Sequence, residues 1–248
     1  PPRWHRQPLP NASQGWAVTH APPITTTPTN GVARRLVMTT GKDRLLRALD
    51  RETHAVLYET PVTTRENADT PVITTPLRAC PGVLGGSQWN GPAYNPGTNL
   101  LYVPAVDWCS TFSSFEQIRY IPGKLYMGGR TDLDPVEKSQ GWLTAVDAST
   151  GAVKWKYRSA RPMVAAVTAT SGDILFTGEL TGDFLAMDAR SGKVVYRYGG
   201  GGSIIGGVIS YAVDGKQYVA AVSGMAAGFW LGAPGSRTVT GFALPYRP

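Results

Sequence analysis

The sequence predicts an all-β protein, and three observations lead to that prediction. The 248 residues are 42% hydrophobic and 17% charged, with 29 glycines and 20 prolines, which favours short strands and turns over helices. No stretch of more than about ten residues has a convincing helical period. A thirteen-residue phrase recurs as LRALDRETHAVLY (46–58), LTAVDASTGAVKW (143–155) and FLAMDARSGKVVY (184–196).

Each copy of the phrase has the composition of a strand, a tight turn and a second strand. The alanine and its apolar neighbour end an inner strand, and Asp with Thr or Ser and Gly or His forms the turn. An Asp side chain accepts hydrogen bonds from a turn backbone, and glycine adopts positive φ without strain. The closing aromatic (Tyr58, Trp155 or Tyr196) then offers a flat ring to the next sheet. The phrase therefore predicts the same corner in several similar sheets.

The remaining elements follow from the alternation of apolar runs and turns. Residues 1–30 are rich in Pro and Thr and show little periodicity. From Val32 onward, short strands separated by turns are predicted for RRLVMTT, RLLRALD, AVLYET, NLLYVPAVD, the strands of the last two phrases, and KQYVAAVSG. Strand, turn, strand is the rhythm of a meander, and here the meander repeats.

The spacing of the phrases predicts a β-propeller. Ala145 and Ala186 lie 41 residues apart, which is the length of one propeller blade. Ala48 and Ala145 lie 97 residues apart, which leaves room for two blade lengths and an insertion near 110–139. We therefore expect residues 1–248 to form a single, partial propeller domain of about four blades, each a four-stranded antiparallel sheet.

Charge and cysteine usage narrow the function. The net charge of +7 is spread along the chain without a nucleic-acid motif, which leaves a solvated basic surface or an acidic protein partner and disfavours nucleic acid. No apolar run reaches the length of about 18 residues that a membrane span needs. Cys80 and Cys109 lie outside any C-x-x-C pair and the three histidines are far apart, which disfavours metal and haem sites. A single disulfide is favoured, and it would place the chain outside the cytosol.

At this point the residues resemble a known family. The frame A-x-D-x-x-T-G-x-x-x-W is similar to the tryptophan-docking motif of the quinoprotein alcohol dehydrogenases, eight-bladed propellers that bind pyrroloquinoline quinone (PQQ). Further segments follow in the family's order: TTGKDRLLRALDR, CPGVLGGSQWNGPAYNPGTNLLYVPA, GDILFTGELTGDFLAMDARSGKVVY and DGKQYVAAVSG. The resemblance covers roughly residues 4–225 and implies the C-terminal half of such a propeller. A chain that begins Pro-Pro-Arg-Trp, without Met, also suggests a piece of a longer protein.

The resemblance implies roles for particular residues. Family members hold PQQ in the central channel, usually with Ca²⁺ or a lanthanide, and the quinone accepts a hydride from an alcohol. Lys42 matches the cation that meets the quinone carbonyls, where it would stabilise developing negative charge; the alternative is a solvated turn lysine. Gln88 stands where the family usually has Asn, and Trp89 matches the family Trp, with a plain core Trp as the alternative. Cys80 and Cys109 match a disulfide of the family's methanol dehydrogenases.

Two departures weigh against catalysis. The family's general base is an Asp in a Pro-His-Asp segment between a blade-ending Trp and a Pro-Pro pair. Here Trp4 and the pair at 22–23 bracket residues 5–21, which contain no Asp or Glu. Residues 10–12 (Pro-Asn-Ala) stand in for that segment, with alanine at the position of the base, and an amide or hydroxyl cannot replace a carboxylate near neutral pH. Residues 164–166 (Val-Ala-Ala) replace a Trp-Gly-Gly near the cofactor.

Two functions from different classes are therefore expected. The first is a periplasmic, PQQ-dependent oxidoreductase that takes hydride from an alcohol or sugar and passes electrons to a cytochrome c. The second is a cofactor-free propeller that acts as a binding or assembly module. Lys42, Gln88 and Trp89 favour the first, and the missing carboxylate favours the second, so the sequence leaves present activity open. Ligands for a Ca²⁺ ion are expected outside this chain, in a missing N-terminal half; that half or a second copy would complete the ring.

Overall fold

The computed structural model is all-β over the residues it describes, which are 4–9, 13–117, 119–224, 228–230 and 232–243. Within these ranges the strands form five antiparallel sheets, four of which are blades. The helical content of the same ranges is a 3₁₀ turn at Val136–Lys138, and no helix there is long and apolar enough to cross a membrane.

Three blades have four strands, and the described part of blade 4 has three. Blade 1 contains β1 (Ile24–Thr29), β2 (Val32–Thr40), β3 (Leu45–Asp50) and β4 (Val56–Pro61). Blade 2 contains β6 (Ala93–Asn95), β7 (Leu100–Asp107), β10 (Gln140–Asp147) and β11 (Val153–Ser159). Blade 3 contains β12 (Thr168–Ala169), β13 (Ile174–Gly178), β14 (Asp183–Asp188) and β15 (Val194–Gly199). Blade 4 contains β16 (Val208–Val213), β17 (Lys216–Ser223) and β18 (Thr238–Ala243). A side sheet pairs β5 (Leu77–Ala79) with β8 (Ser110–Ser114) and β8 with β9 (Gly129–Leu133).

The hydrophobic core lies between successive blades. Leu36 and Met38 of blade 1, for example, belong to one buried cluster with Leu101 and Val103 of blade 2. Equivalent apolar layers join blade 2 to blade 3 and blade 3 to blade 4. The first strands of blades 2, 3 and 4 contact one another in turn. Sheets stacked face to face with their first strands on a shared side are the arrangement of a propeller, and the predicted fold is confirmed.

The three phrases form three equivalent corners between the third and fourth strands of their blades. In the second corner, Asp147 Oδ1 accepts the N–H groups of Ser149 and Thr150 at 3.0 Å, and Gly151 N–H donates to the Asp147 carbonyl at 2.8 Å. The other two corners repeat the bonds from the residues three and four positions after the Asp. Each third strand also has a β-bulge directly after the alanine of the phrase. The turn chemistry predicted from the phrase is therefore confirmed.

The closing aromatic of a blade docks onto the corner of the next blade. Tyr58 Oη donates to the Ala148 carbonyl at 2.7 Å, and Trp155 Nε1 donates to the Ala189 carbonyl at 3.0 Å. Both carbonyls belong to the residue that follows the Asp of the corner. In blades 1 and 2 the aromatic position of the phrase is thus an interblade contact, and we call its occupant the docking aromatic.

The fourth residue after the corner Asp lies beneath the docking ring. Gly151 and Gly192 have φ of 76° and 71°, and a Cβ added to either would lie 2.5 Å from the ring above it. His54 holds this position in the first corner, with φ of 63°, and the Trp4 ring stacks on it with centroids 4.4 Å apart. Trp4 therefore has the position of a docking aromatic upstream of blade 1.

Two parts of the chain differ from the sequence expectation. Residues 24–29, in the segment that shows little periodicity, form β1 with strictly alternating burial. The strand was not recognised in the sequence because its buried side chains are Thr25, Thr27 and Thr29 rather than apolar residues. The interval between the first two corners holds the start of blade 2 and the side sheet, so the expected room for an additional blade is not used. The segment 110–139, where an insertion was expected, supplies β8, β9 and the 3₁₀ turn.

Candidate functional site

The turns between second and third strands and the connections between blades meet at one end of the blades, which we call the loop face. Ser87 N–H donates to the Gly41 carbonyl at 3.1 Å, which joins a connection to a turn of blade 1. Asn90 Nδ2 donates to the carbonyls of Val164 at 2.6 Å and Ile205 at 3.2 Å. The loop face therefore contains the turn 41–44 and the connections 62–92, 160–167 and 200–207.

Lys42 projects from the turn between β2 and β3. Its backbone N–H donates to the Ala17 carbonyl at 3.1 Å, and its ammonium donates to the Val83 carbonyl at 3.4 Å. The side chain is partly buried, and this desolvation lowers the pKa of Lys42 below its ordinary value. The neighbouring Asp43 pairs with Arg47 at 2.5 Å, and in the described ranges no carboxylate forms an ion pair with Lys42. A cation with one weak neutral partner is available to an anionic ligand.

The connection after the disulfide packs directly on the Lys42 turn. Gly86 has φ of 77°, and a Cβ there would lie 2.4 Å from the Lys42 carbonyl oxygen, so the close approach requires glycine. Gln88 is buried, and its Nε2 donates to the carbonyls of Leu84 at 2.9 Å and Gly85 at 3.0 Å. Its side-chain nitrogen therefore closes its own loop, and its oxygen accepts no hydrogen bond from the described residues. Lys42 and Gln88 share one short segment as their support.

Trp89 is 44% exposed at the loop face, where its ring meets Trp230 edge to face with centroids 5.9 Å apart. It is more exposed than the plain core Trp of the alternative would be, and its role as the family Trp stays a prediction. Sequence reasoning missed Asn90, whose side chain ties together the two connections that precede and follow blade 3. The available signal was a second amide directly after Trp89 in the segment GGSQWN.

Cys80 and Cys109 form a disulfide, as the resemblance implied. The bond joins the start of the loop that carries Gln88 to the residue two positions after the end of β7. Gly82 N–H donates to the Trp108 carbonyl at 2.8 Å, and Gly86 exchanges two backbone bonds of 2.9 Å with Val106. The disulfide and these backbone hydrogen bonds therefore hold the loop against the end of β7.

The connection that precedes blade 1 carries no carboxylate. The stand-in for the family's catalytic segment, residues 10–12, lies outside the described residues. The described part contributes His20, whose Nε2 lies 2.8 Å from Thr40 Oγ1 and 3.0 Å from the Thr40 carbonyl. Gly91 lies against this ring, since a Cβ there would be 2.6 Å from two of its atoms. A side chain with the properties of the family's general base is therefore not identified in this part.

The segment 164–166 is apolar, with Val164 and Ala165 buried and Ala166 partly buried. Val164 packs with Trp108, Leu180 and Ile205 in a cluster under the loop face. The segment also makes polar contacts at this face: the Val164 carbonyl accepts from Asn90 at 2.6 Å, and Ala166 N–H donates to the Gly206 carbonyl at 3.1 Å. The described residues also contain no group of three or more His, Cys, Asp or Glu side chains that could hold a metal ion.

The donor set suits a planar, electron-poor ligand with carbonyl or carboxylate oxygens. The Lys42 ammonium would stabilise negative charge on such an oxygen, the Gln88 oxygen would accept a hydrogen bond, and the exposed Trp89 ring offers an apolar plane. PQQ has these features, so these residues fit the group that the resemblance implied.

Comparisons with known proteins show similarity to an assembly-factor family model and to quinoprotein dehydrogenases. The family model described as "Outer membrane protein assembly factor BamB" matches residues 139–228. Quinoprotein alcohol dehydrogenase PedE of Pseudomonas putida is 34% identical over 150 residues, which are 60% of this chain and 24% of that protein. Lupanine 17-hydroxylase [cytochrome c] of a Pseudomonas species is 29% identical over 242 residues, or 90% of this chain and 34% of that protein.

Among solved structures, quinohemoprotein alcohol dehydrogenase from Comamonas testosteroni superposes with a TM-score of 0.74. The match covers 89% of this chain and 37% of the other, at 22% sequence identity. The chain therefore has the fold of one part of such a propeller, and it spans about a quarter to a third of the length of the relatives it matches.

Proposed function

We propose that this chain, which is related in sequence and in propeller fold to the quinoprotein alcohol dehydrogenases, is the C-terminal half of a PQQ-dependent oxidoreductase. One observation carries the proposal: Lys42, which matches a cofactor contact of the family, and Gln88, which stands where the family usually has Asn, are held by the same loop at the loop face, beside the exposed Trp89. In this reading residues 1–248 are one partial propeller domain with an insertion near 110–139.

When bound, PQQ would supply the electrophilic carbonyl that takes a hydride from an alcohol or sugar. The chain's own residues would bind and polarise that group. The Lys42 ammonium would lie against quinone oxygens and stabilise the charge that develops there, with an effect strengthened by its partial burial. The Gln88 oxygen would orient the cofactor by accepting a hydrogen bond, and Trp89 would limit the access of water to one side.

The rest of the reaction is not assigned to the described residues. The ligands of a Ca²⁺ or lanthanide ion would come from the N-terminal half, since the described part offers no metal cluster, and the general base stays unassigned, because its position in the family holds alanine in this sequence. A cytochrome c is the proposed electron acceptor, in line with the printed name of one relative. The disulfide supports an extracytoplasmic, periplasmic location.

The test is PQQ retention by the full-length protein. The protein would be loaded with PQQ and Ca²⁺, passed through a desalting column, and its quinone absorbance recorded. Lys42→Ala removes a charge-assisted contact worth about 1.5–3 kcal/mol, so retention is expected to fall by about tenfold or more. Lys193→Ala, at an exposed corner of blade 3, is the matched control and is expected to retain PQQ as the parent does.

Two results would contradict the proposal. If Lys42→Ala and the parent retain PQQ equally, Lys42 is not part of the site. If the parent itself retains none, the second function applies: a cofactor-free propeller of the same ancestry that acts as a binding or assembly module. The family model over residues 139–228 carries an assembly factor's description, so this alternative has its own support.

A further inference from the structure

Arg44 is a fully buried arginine in the same turn as Lys42. Its φ is 67°, in the left-handed region where glycine is favoured and a long side chain is strained. Its Nε has no hydrogen-bond partner in the described ranges, which adds to the cost of burial. A strained and desolvated charged side chain persists only where the contacts around it hold it in place.

The guanidinium connects the turn to the end of β7. Arg44 Nη1 pairs with Asp107 Oδ1 at 2.6 Å and also donates to the Thr64 carbonyl, and Nη2 donates to the Trp108 carbonyl at 3.2 Å. Burial lowers the pKa of Arg44 to about 10, against the opposing effect of Asp107, so the group is charged at neutral pH. The Arg44 side chain thus contacts Thr64, in the connection after blade 1, and Asp107 and Trp108, at and just after the end of β7 in blade 2.

Asp107 is saturated by donors. Asp107 Oδ1 pairs with Arg44, and Asp107 Oδ2 accepts from Thr64 Oγ1 at 2.9 Å, Trp142 Nε1 at 3.0 Å and Gln140 Nε2 at 3.3 Å. Burial acts to raise the pKa of Asp107, but the Arg44 charge and these hydrogen bonds hold it below its ordinary value. Both members of the pair are therefore ionised at neutral pH, and their relative position is fixed.

The loop that carries Gln88 rests on this guanidinium. A Cβ added to Gly85 would lie 2.8 Å from Arg44 Nη2, so the loop approaches the pair at a residue without a side chain. The two carbonyls that accept from Gln88 are those of Leu84 and Gly85, and the carbonyl that accepts from Lys42 is that of Val83. Arg44 therefore lies beneath the segment that supports both candidate cofactor contacts.

We propose that the buried Arg44–Asp107 pair is a positioning device that fixes the Lys42 ammonium and the Gln88 amide relative to each other. A buried ion pair is weak evidence for stability, because its desolvation offsets much of the attraction, whereas its geometry is specific. The identity of the bound group rests on the proposed function. The positioning is a property of the chain and can be measured without cofactor.

The experiment is the pH profile of Lys42 labelling in the full-length protein without PQQ. An amine-reactive reagent at limiting concentration would be applied between about pH 7 and pH 11, and labelling of each lysine would be read by peptide mass spectrometry. Arg44→Gly removes the guanidinium while suiting the left-handed backbone, and Asp107→Asn is nearly isosteric. Arg197→Met is the control, because Arg197 also pairs with a buried carboxylate, Glu179, but in blade 3.

The Lys42 profile is expected to change in both site variants. Release of Lys42 from its partly buried position would raise its inflection toward the ordinary lysine value and increase its limiting rate by about fivefold or more, as local opening does. Arg197→Met is expected to leave the profile at the parent's. An unchanged profile in either folded site variant, or an equal change in Arg197→Met, would overturn the proposal.

PQQ retention separates this inference from the proposed function. If the parent binds PQQ, both site variants are expected to retain less of it, and undiminished retention in both would count against the positioning role. If the parent binds none, the proposed function fails while the labelling profile still decides whether the pair positions Lys42.

Discussion

Gly192→Ala tests the docking of one blade on the next. The residue has φ of 71°, and its new Cβ would lie 2.5 Å from the Trp155 ring. An alanine in the left-handed region costs about 1–2 kcal/mol, and displacing a packed indole costs about 1–3 kcal/mol more. Gly215→Ala is the matched control, because Gly215 has φ of 75° with no atom within 4 Å of the added Cβ.

The assay is urea-induced unfolding of the full-length protein, followed by far-ultraviolet circular dichroism. Gly215→Ala is expected to lower the free energy of unfolding by about 1–2 kcal/mol and Gly192→Ala by about 2–5 kcal/mol. In a Trp155→Ala background the ring is gone, so Gly192→Ala should cost only as much as Gly215→Ala. Equal losses in the two single variants, within about 0.5 kcal/mol, would refute the docking role of the ring.

Further predictions concern covalent and electrostatic stability. Replacing both Cys80 and Cys109 by Ser opens a loop whose ends are 29 residues apart, which is expected to lower the free energy of unfolding by about 3–4 kcal/mol. Urea unfolding of the double variant checks this, and a loss below about 1 kcal/mol would contradict it. Hydrogen bonds from the Thr53 amide and then from Arg34 lower the pKa of Asp50 to about 2. The contribution of ionised Asp50 to folding stability is therefore complete above its unfolded pKa near 4 and is lost as pH falls toward 2. Melting temperatures of the parent should therefore fall more steeply over that window than those of Asp50→Asn, and parallel curves would contradict the assignment.

The corners could be predicted because their chemistry is local. The Asp, the left-handed residue and the aromatic are fixed within thirteen residues, and the 41-residue interval reports a blade. β18 escaped prediction, although Ala243 pairs opposite Tyr218 just as Ala145 pairs opposite Tyr102. The sequence around Ala243 reads GFALP, with Pro where the phrase has Asp, so the turn signal that marks the other corners is missing.

The candidate site could be predicted only in part. Lys42, Gln88 and Trp89 were found through motif resemblance, but their shared support by one loop depends on contacts between blades that no local pattern encodes. Arg44 was missed, because an arginine in the turn GKDR is typical of an exposed side chain. Its burial depends on Asp107, 63 residues further along the chain.

The outer edge of β18, as far as the chain is described, is open to pairing with a strand of another chain. In the described ranges no strand pairs with its outer edge, and a cavity of about 780 Å³ beside it is lined by Phe184, Tyr196 and Phe242. An open edge next to an aromatic groove is a template for intermolecular strand addition. Residues 1–248 produced on their own are therefore expected to aggregate as their concentration rises.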